Sequence, residues 1–277
     1  MRNLVSRLRF EMYRFWYKHI KNSVVQTEYM NCKILVRANE DVGLQILVGN
    51  YEKNDLLYLL SMIRDGDTFF DIGANIGLFS LLVAKKNCTV KVHSFEPIPI
   101  NSCLFKASLC LNEIESVNLN QCCVGDFVGD IEFSLASDSA YSSIHDTGRF
   151  PEIKKIKAKI TTLDEYLKMN DLTRIDIMKI DVEGAEKLVL DGARNILSNN
   201  LVKPRLVLME LFDKNFDLFG TSIDDVVNVM KLYKYKAFVI DGNDKSVFCP
   251  RHYNKIYNVF FELEGNDGVK KNYERHL

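Results

Sequence analysis

Apolar positions in this chain recur with two periods. Short β-branched and aromatic runs alternate at a period of two, and the segments between them repeat at the helical spacing of three to four. From residue 68 onward the two kinds take turns. The run 68–72 is followed by a glycine-bounded turn at 73–77 and a helical pattern over 78–86; 90–96 reads as the next strand, and 99–112 as a helix packed through Leu104, Ala107, Ser108 and Leu111. A third strand spans 117–124. A short helix at 164–169, capped by Thr161 or Thr162, precedes a fourth strand at 175–184, a helix at 185–197, a fifth strand at 205–211 and a helix at 222–233. The runs 235–240 and 256–263 form a last strand pair around a turn at 242–244. Strands alternating with helices predict an α/β fold with a mostly parallel sheet and an antiparallel edge.

Two stretches depart from that alternation. Upstream, 33–36 and 44–48 flank a polar turn at 39–43, which predicts a β-hairpin, and 49–52 lead into a helix through 63. Downstream, 129–134 and 156–160 read as paired strands around the polar segment 137–149, an insertion over 127–160. An insertion of that length near the carboxyl ends of the strands is where a substrate lid sits.

At 277 residues and 47% hydrophobic content the chain buries one sizeable core. The expected units are a basic amphipathic extension at 1–29, a hairpin and helix at 30–64, the main domain at 65–265 and a polar tail at 266–277. Within 1–21, Arg2, Arg7, Arg9, Arg14, Lys18 and Lys21 oppose the single acid Glu11, while Leu4, Leu8, Phe15 and Trp16 keep helical spacing. Such a helix docks on its own domain or on a second copy, or lies on an anionic membrane as a peripheral contact. Arg-rich, acid-poor starts also occur in organellar transit peptides. A formal net charge of −1 argues against general nucleic-acid binding. Seven cysteines with no C-x-x-C pair read as reduced thiols of a cytoplasmic protein, and no uncharged apolar run is long enough to span a bilayer.

The turn at 73–77 is where the chemistry is written. A phosphate-cradling loop puts Lys and Ser/Thr after its last glycine, and here Leu78 follows Gly77; the dinucleotide fingerprint needs three glycines, and here there are Gly73 and Gly77. Asp71, just before them, repels a pyrophosphate and suits a cation. S-adenosylmethionine (SAM) carries an ammonium and a sulfonium without phosphate, so Asp71 is a candidate acceptor for the ammonium. The helix start near Asn75 and Gly77 faces the carboxylate, and Gly73 lets the backbone pass close under the ligand. Glu96 ends the next strand a little over 20 residues past Gly73, where a ribose-binding acid belongs.

The segments Asp71-Ile72-Gly73-Ala74-Asn75-Ile76-Gly77, Phe95-Glu96-Pro97 and Lys179-Ile180-Asp181-Val182-Glu183-Gly184-Ala185-Glu186, in that order, resemble the FkbM family of SAM-dependent methyltransferases. The likeness runs from near Met30 to about Leu211. It implies a class I methyltransferase (Rossmann-like) fold, with a seven-stranded sheet. It also implies transfer of a methyl group to a hydroxyl, commonly on a sugar or polyketide, leaving S-adenosylhomocysteine (SAH). Tyr51 and Glu52 match a pair that borders the family's active site, although Glu52 also suits the first turn of a helix. Asn101 matches a position beside the ribose acid, and Val124 and Asp126 fall where the adenine is bordered; Asp126 before Gly129 equally suits a plain turn.

On the substrate side the insertion offers Tyr141, Ser142 and Ser143 to a hydroxyl-rich acceptor, with Ser139 beside them, and His145 as a base or an exposed bystander. Lys179, Asp181 and Glu183 share parity in the fourth strand. A lysine there needs a partner, and a structural ion pair with Asp181 is one reading. The functional reading makes Asp181 or Glu183 the base that takes the hydroxyl proton, with Lys179 orienting it; Glu186 reads as structural. Glu210, ending the fifth strand, completes an oxygen-ligand set with Asp181 and Glu183, but acids at strand ends are common without an ion and no metal is assigned. The sequence thus points to a SAM-dependent O-methyltransferase of a glycan or related metabolite. An N-methyltransferase and a non-catalytic SAM-binding or membrane-associated scaffold are the alternatives, and intact Asp71, Glu96 and Asp181 speak against the scaffold.

Overall fold

The computed structural model describes residues 24–242, 244–250 and 255–265. The amphipathic helix expected at 1–21 and the tail at 266–277 lie outside them. Residues 24–29, grouped above with the extension, form strand β1 (Val24–Tyr29), which pairs with β2 (Cys32–Arg37). Met30 and Asn31 join them with φ of 49° and 61°, two left-handed residues whose twist matches that of a tight hairpin. The hairpin therefore lies earlier than the sequence reading placed it. Its expected second strand at 44–48 falls instead in helix α1 (Asp41–Leu47), which Gly43 lets pack against the Arg37 carbonyl, where any Cβ would collide. A five-residue apolar alternation fits either state, and tertiary packing decided it. Helix α2 (Lys53–Met62) follows as expected.

The main domain begins with β3 (Thr68–Ile72), α3 (Leu78–Lys86), β4 (Lys91–Phe95), α4 (Pro99–Leu111) and β5 (Val117–Asn120). The expected strand at 117–124 is split: β6 (Cys123–Val124) leaves the main sheet to pair with β8 (Glu152–Thr161), which pairs antiparallel with β7 (Gly129–Ala136). Those three strands are the insertion's own small sheet. Helix α5 (Leu163–Met169) is capped by Thr162, whose hydroxyl accepts the Glu165 N–H at 3.1 Å. Next comes β9 (Ile177–Ile180), which stops before Asp181. The helix expected at 185–197 is two, α6 (Glu186–Asp191) and α7 (Arg194–Ser198), broken where Gly192 packs on the Gly125 carbonyl. After β10 (Leu206–Leu211) the chain adds α8 (Asp213–Leu218), not anticipated from sequence, then α9 (Ile223–Leu232), β11 (Tyr235–Asp241), β12 (Asp244–Val247) and β13 (Tyr257–Leu263).

Eight described strands form the main sheet in the order β12-β11-β13-β10-β9-β3-β4-β5. The five from β10 to β5 are parallel, and β13 runs antiparallel between β10 and β11. This is the class I methyltransferase sheet of seven strands, extended by β12 as an eighth. Successive residues of one strand feed opposite faces: Phe69 joins the core beneath α2, α3 and α4, and Phe70 and Ile72 join the core beneath α5, α6 and α9. The N-terminal hairpin docks on α4, where Ser108 and Asn112 accept the N–H groups of Leu35 and Lys33, both at 3.0 Å.

Topology also fixes where a ligand goes. From β3 the chain steps outward through β4 to β5, then returns to lay β9 on the other side of β3. The carboxyl ends of β3, β4 and β9 therefore splay around a crevice at the switch point.

Phe70, fully buried, holds the sheet under that crevice, its ring centre 5.7 Å from Phe95 and 5.8 Å from Tyr166. Phe70→Ala is expected to cost about 3–5 kcal/mol in urea-monitored unfolding; a loss below about 1 kcal/mol would contradict this packing.

Candidate active site

The loop after β3 is built by backbone. The N–H groups of Gly73 and Ala74 both donate to the Phe95 carbonyl at 3.0 Å, which pins the loop to the end of β4. Gly73 is left-handed (φ 75°), and a Cβ there would strike the Asp181 carbonyl. Gly77, also left-handed (φ 83°), would strike the Phe105 ring. Both glycines are thus required by close approach as well as by φ. Between them Asn75 donates its N–H to Glu96 Oε2 at 2.9 Å.

Glu96 is the best-anchored acid of the site. Its Oε1 accepts from the Ile98 N–H at 2.9 Å and from Asn101 Nδ2 at 3.3 Å. Burial nonetheless pushes its carboxyl up to about 8. Asn101 stands behind Glu96 and accepts from Ser139 Oγ at 3.1 Å, so the insertion reaches the back of this acid.

A cleft of about 1070 Å³, part of it open to solvent, lies over these ends. Gly73, Asn75, Glu96 and Val124 line it, and so do Tyr51, Glu52, Tyr141, Ser142, Asp181 and Glu183. Other sequence candidates stand elsewhere. Asp71 lies behind the wall, 1% exposed, with Oδ2 accepting from Ser80 at 2.6 Å, Oδ1 without a hydrogen bond, and Lys179 Nζ 3.9 Å away. Asp71 is therefore not among the lining residues. Gly77 and Asn101 support the loop without lining the cleft. Asp126 is exposed and lies outside the lining, apart from Val124, the other candidate for the adenine. His145 is exposed, its ring 4.7 Å from Phe219, and also lies outside the lining. Ser143 is buried beneath the insertion and bonds to the backbone of 182 and 183 in place of facing a ligand.

The cleft wall around the end of β9 is acidic. Lys179, on β9, donates to Asp181 Oδ2 at 3.0 Å and its Nζ lies 5.1 Å from the Phe79 ring centre. Burial alone would lower Lys179, but Asp181, Asp71 and Glu52 together hold it above its ordinary value. Because β9 ends at Ile180, Asp181 and Glu183 stand on a turn, and Glu183 is left-handed (φ 54°). Arg149 Nη1 reaches Glu183 Oε2 at 2.8 Å, and Asn215 Nδ2 donates to the same oxygen at 2.5 Å. Burial raises Glu183 and Glu52 to about 7 each, and raises Glu210 well above its ordinary value, with Asp181 and Glu183 adding repulsion. Carboxylate oxygens of Asp181, Glu183 and Glu210 come within 4.8 Å of one another, so these residues are able to hold a cation. A divalent ion there would compete with Lys179 and Arg149 for Asp181 and Glu183.

The donor set fits SAM. Glu96 keeps one acceptor site, on Oε2, for a ribose hydroxyl, and the acids around Lys179 match a ligand whose sulfonium and ammonium are positive. A model of the methyltransferase FkbM domain matches residues 71–237. The chain belongs to the FkbM methyltransferase family. It is 25% identical over 166 residues to 31-O-demethyl-FK506 methyltransferase FkbM of Streptomyces tacrolimicus, covering 48% of this chain and 62% of that protein. It is 26% identical over 205 residues to methyltransferase sdnD of Sordaria araneosa, covering 59% of this chain and 79% of that protein. The match thus spans about three fifths of the first relative's length. Among solved structures, M. jannaschii TYW2 in complex with AdoMet superposes with a TM-score of 0.46 at 14% identity over 88% of each chain.

The FkbM-family site has parts that motif reading missed. Arg149 and Asp41 come from polar segments whose place is set by tertiary packing. Arg149 is stacked 4.1 Å from the Tyr141 ring centre, and Tyr141 OH donates to Asp41 Oδ2 at 2.7 Å. Asn215 lies on the unanticipated α8. No local pattern announces these residues. Among the described residues no helix is long and apolar enough to cross a membrane.

Glu52, Glu96, Glu183 and Glu186 are all raised by burial, to between about 7 and about 8, from an ordinary 4.5. A folded state that holds protons more tightly than the unfolded chain is most stable at low pH and loses that share as pH rises through the folded values. The thermal midpoint of the unliganded FkbM-family protein is expected to fall from about pH 5 to about pH 9. A rise over that window in differential scanning fluorimetry would mean that these carboxyls are ionised in the fold.

Proposed function

We propose that this FkbM-family protein is a SAM-dependent O-methyltransferase acting on an uncharged, hydroxyl-rich acceptor such as a glycan or related metabolite. The observation that carries the proposal is Asp181, held at the cleft wall by Lys179 at 3.0 Å with its carbonyl packed against Gly73 of the cofactor loop. Bound SAM supplies an electrophilic methyl group on a good leaving group. Glu96 would hold the ribose, Asn75 and Val124 flank it, and the acids beside Tyr51 would meet its positive end. As the hydroxyl oxygen bonds to the methyl carbon and the carbon–sulfur bond breaks, the hydroxyl proton passes to Asp181. Glu183 is the weaker candidate, since Arg149 and Asn215 already claim its carboxylate.

The acceptor class follows from charge. Asp41, Glu52, Asp181, Glu183 and Glu210 line the cleft, with Arg149 as the one cation among the described lining residues. A phosphate or carboxylate would be repelled there. Tyr51, Tyr141 and Ser142 offer the mixed apolar and hydroxyl surface that suits a sugar face. The Streptomyces tacrolimicus relative, whose name specifies a 31-O position, supports oxygen as the methylated atom. The same acidic wall would also draw an amine, which keeps N-methylation as the second reading. Peripheral contact with an anionic membrane belongs to residues 1–21 and is a separate proposal.

Calorimetric titration with SAH is expected to give saturable binding that Glu96→Gln weakens and Asp181→Asn preserves. In a screen of neutral, anionic and amine-bearing acceptors with labelled SAM, Asp181→Asn is expected to lower turnover on a neutral hydroxyl acceptor about 100-fold. No SAH binding by folded wild-type protein, or label transferred only to amines, would overturn the proposal.

A further inference from the structure

We infer that Ser143, carried by the insertion, is a positioning residue for the turn that presents Asp181 and Glu183; the inference rests on the methyl-transfer reading above. The turn has little support of its own. β9 ends at Ile180 and its ladder with β3 ends on the Asp181 N–H, which donates to the Ile72 carbonyl at 3.0 Å; beyond it Glu183 is left-handed at φ 54° and Gly184 at φ 104°. Two side chains bond to the backbone from 182 to 184. Glu186 Oε1 accepts the N–H of Val182 at 3.1 Å and that of Gly184 at 3.4 Å. Ser143 Oγ lies 3.1 Å from the Val182 carbonyl and 3.1 Å from the Glu183 carbonyl, so its one proton is shared between them.

Ser143 is fixed for that task. It is 1% exposed, and its backbone exchanges a pair of hydrogen bonds with Ser134 of β7, at 2.8 and 3.2 Å. The insertion then takes hold of Glu183 a second time through Arg149, whose guanidinium is stacked between Tyr141 at 4.1 Å and Phe212 at 5.2 Å. One inserted segment thus grips the same residue by its carbonyl and by its carboxylate. A non-glycine residue in the left-handed region is held there only by its surroundings. Without the Ser143 hydroxyl, the buried Glu183 carbonyl and the part-buried Val182 carbonyl lose their shared donor and Glu183 is free to relax, carrying its own carboxylate away from Arg149 and changing the direction of Asp181. The insertion is then part of the reaction geometry as well as a cover over the cleft.

The test compares wild type, Ser143→Ala and Ser143→Thr, which keeps the hydroxyl. Carbon-13 carboxyl NMR of glutamate-labelled protein at one fixed pH, with Glu183 assigned through Glu183→Gln and Glu96 through Glu96→Gln, follows both carboxyl resonances. Ser143→Ala is expected to move the Glu183 resonance and leave that of Glu96 in place, with SAH affinity unchanged and Ser143→Thr close to wild type. With an acceptor from the screen, kcat is expected to drop about tenfold at little change in acceptor KM. Coincident Glu183 resonances in wild type and Ser143→Ala, equal displacement of Glu96 and Glu183, or unaltered kcat would each overturn the inference. The NMR readout needs no acceptor, so a failed methylation screen counts against the methyl-transfer reading while leaving this one decided.

Discussion

The arrangement around the cleft depends on one buried cation. Lys179 sits in the central parallel strand with its side chain 6% exposed, directly opposite Asp71 on β3 and two residues before Asp181. A lysine there is tolerated only with carboxylates at hand, and such a pair contributes more to arrangement than to net stability, because desolvating the charges offsets most of their attraction. Meeting that requirement draws the acid of the first strand and the acid after the fourth to the same end of the sheet. The Asp181 carbonyl then arrives where a Cβ on Gly73 would be, so the cofactor loop and the acid turn are fitted to one another. Asp71, which sequence spacing marks as a ligand contact, acts from behind the wall by holding Lys179 and Ser80.

Around that cation the chain gathers more acid than it neutralises. Among the described residues, six carboxylates line the cleft with Arg149 as the sole lining cation. Burial without full pairing is what raises Glu52, Glu96, Glu183 and Glu210, and it is a cost carried by the unliganded fold. A site that leaves such a cost unresolved is complementary to a positive ligand: entry of a cation restores the ionised form of the acids it meets. The same electrostatics that receives the cofactor screens the acceptor, so one set of residues bears on both substrates.

How much of this a sequence reveals depends on the range of the interaction. The turn at 73–77, Glu96 and the order of parallel strands are legible because each is encoded within a dozen residues by glycine placement and strand periodicity. Leu44–Val48 misled because an alternation that short does not separate strand from helix, and the packing of Gly43 on Arg37 settled it. The strand read through 184 stops at Ile180, yet Lys179, Asp181 and Glu183 still converge; the ion pair brings together what strand parity was expected to. Arg149, Asp41 and Asn215 carry no local signal at all. Each acquires its place from partners that are far away in sequence: Glu183, Tyr141 and Glu183 again.

The insertion follows the same logic. Its small sheet takes Cys123 and Val124 out of the main sheet, so these two lining residues and the segment that brings Tyr141, Ser142 and Arg149 to the cleft belong to one unit. That unit is tied to the N-terminal elements through Ser139 on Glu40 at 2.7 Å, through Tyr141 on Asp41 and through the Asp41 N–H on Asp138 at 2.7 Å, and to Glu96 by way of Asn101. Anchored at so many points, it does not behave as a loose flap over a finished site. Removal of any one anchor should be felt at the acid turn before it is felt in the sheet, because the sheet has its own core while the turn is held by a few side chains of Glu186, Asn215 and the insertion.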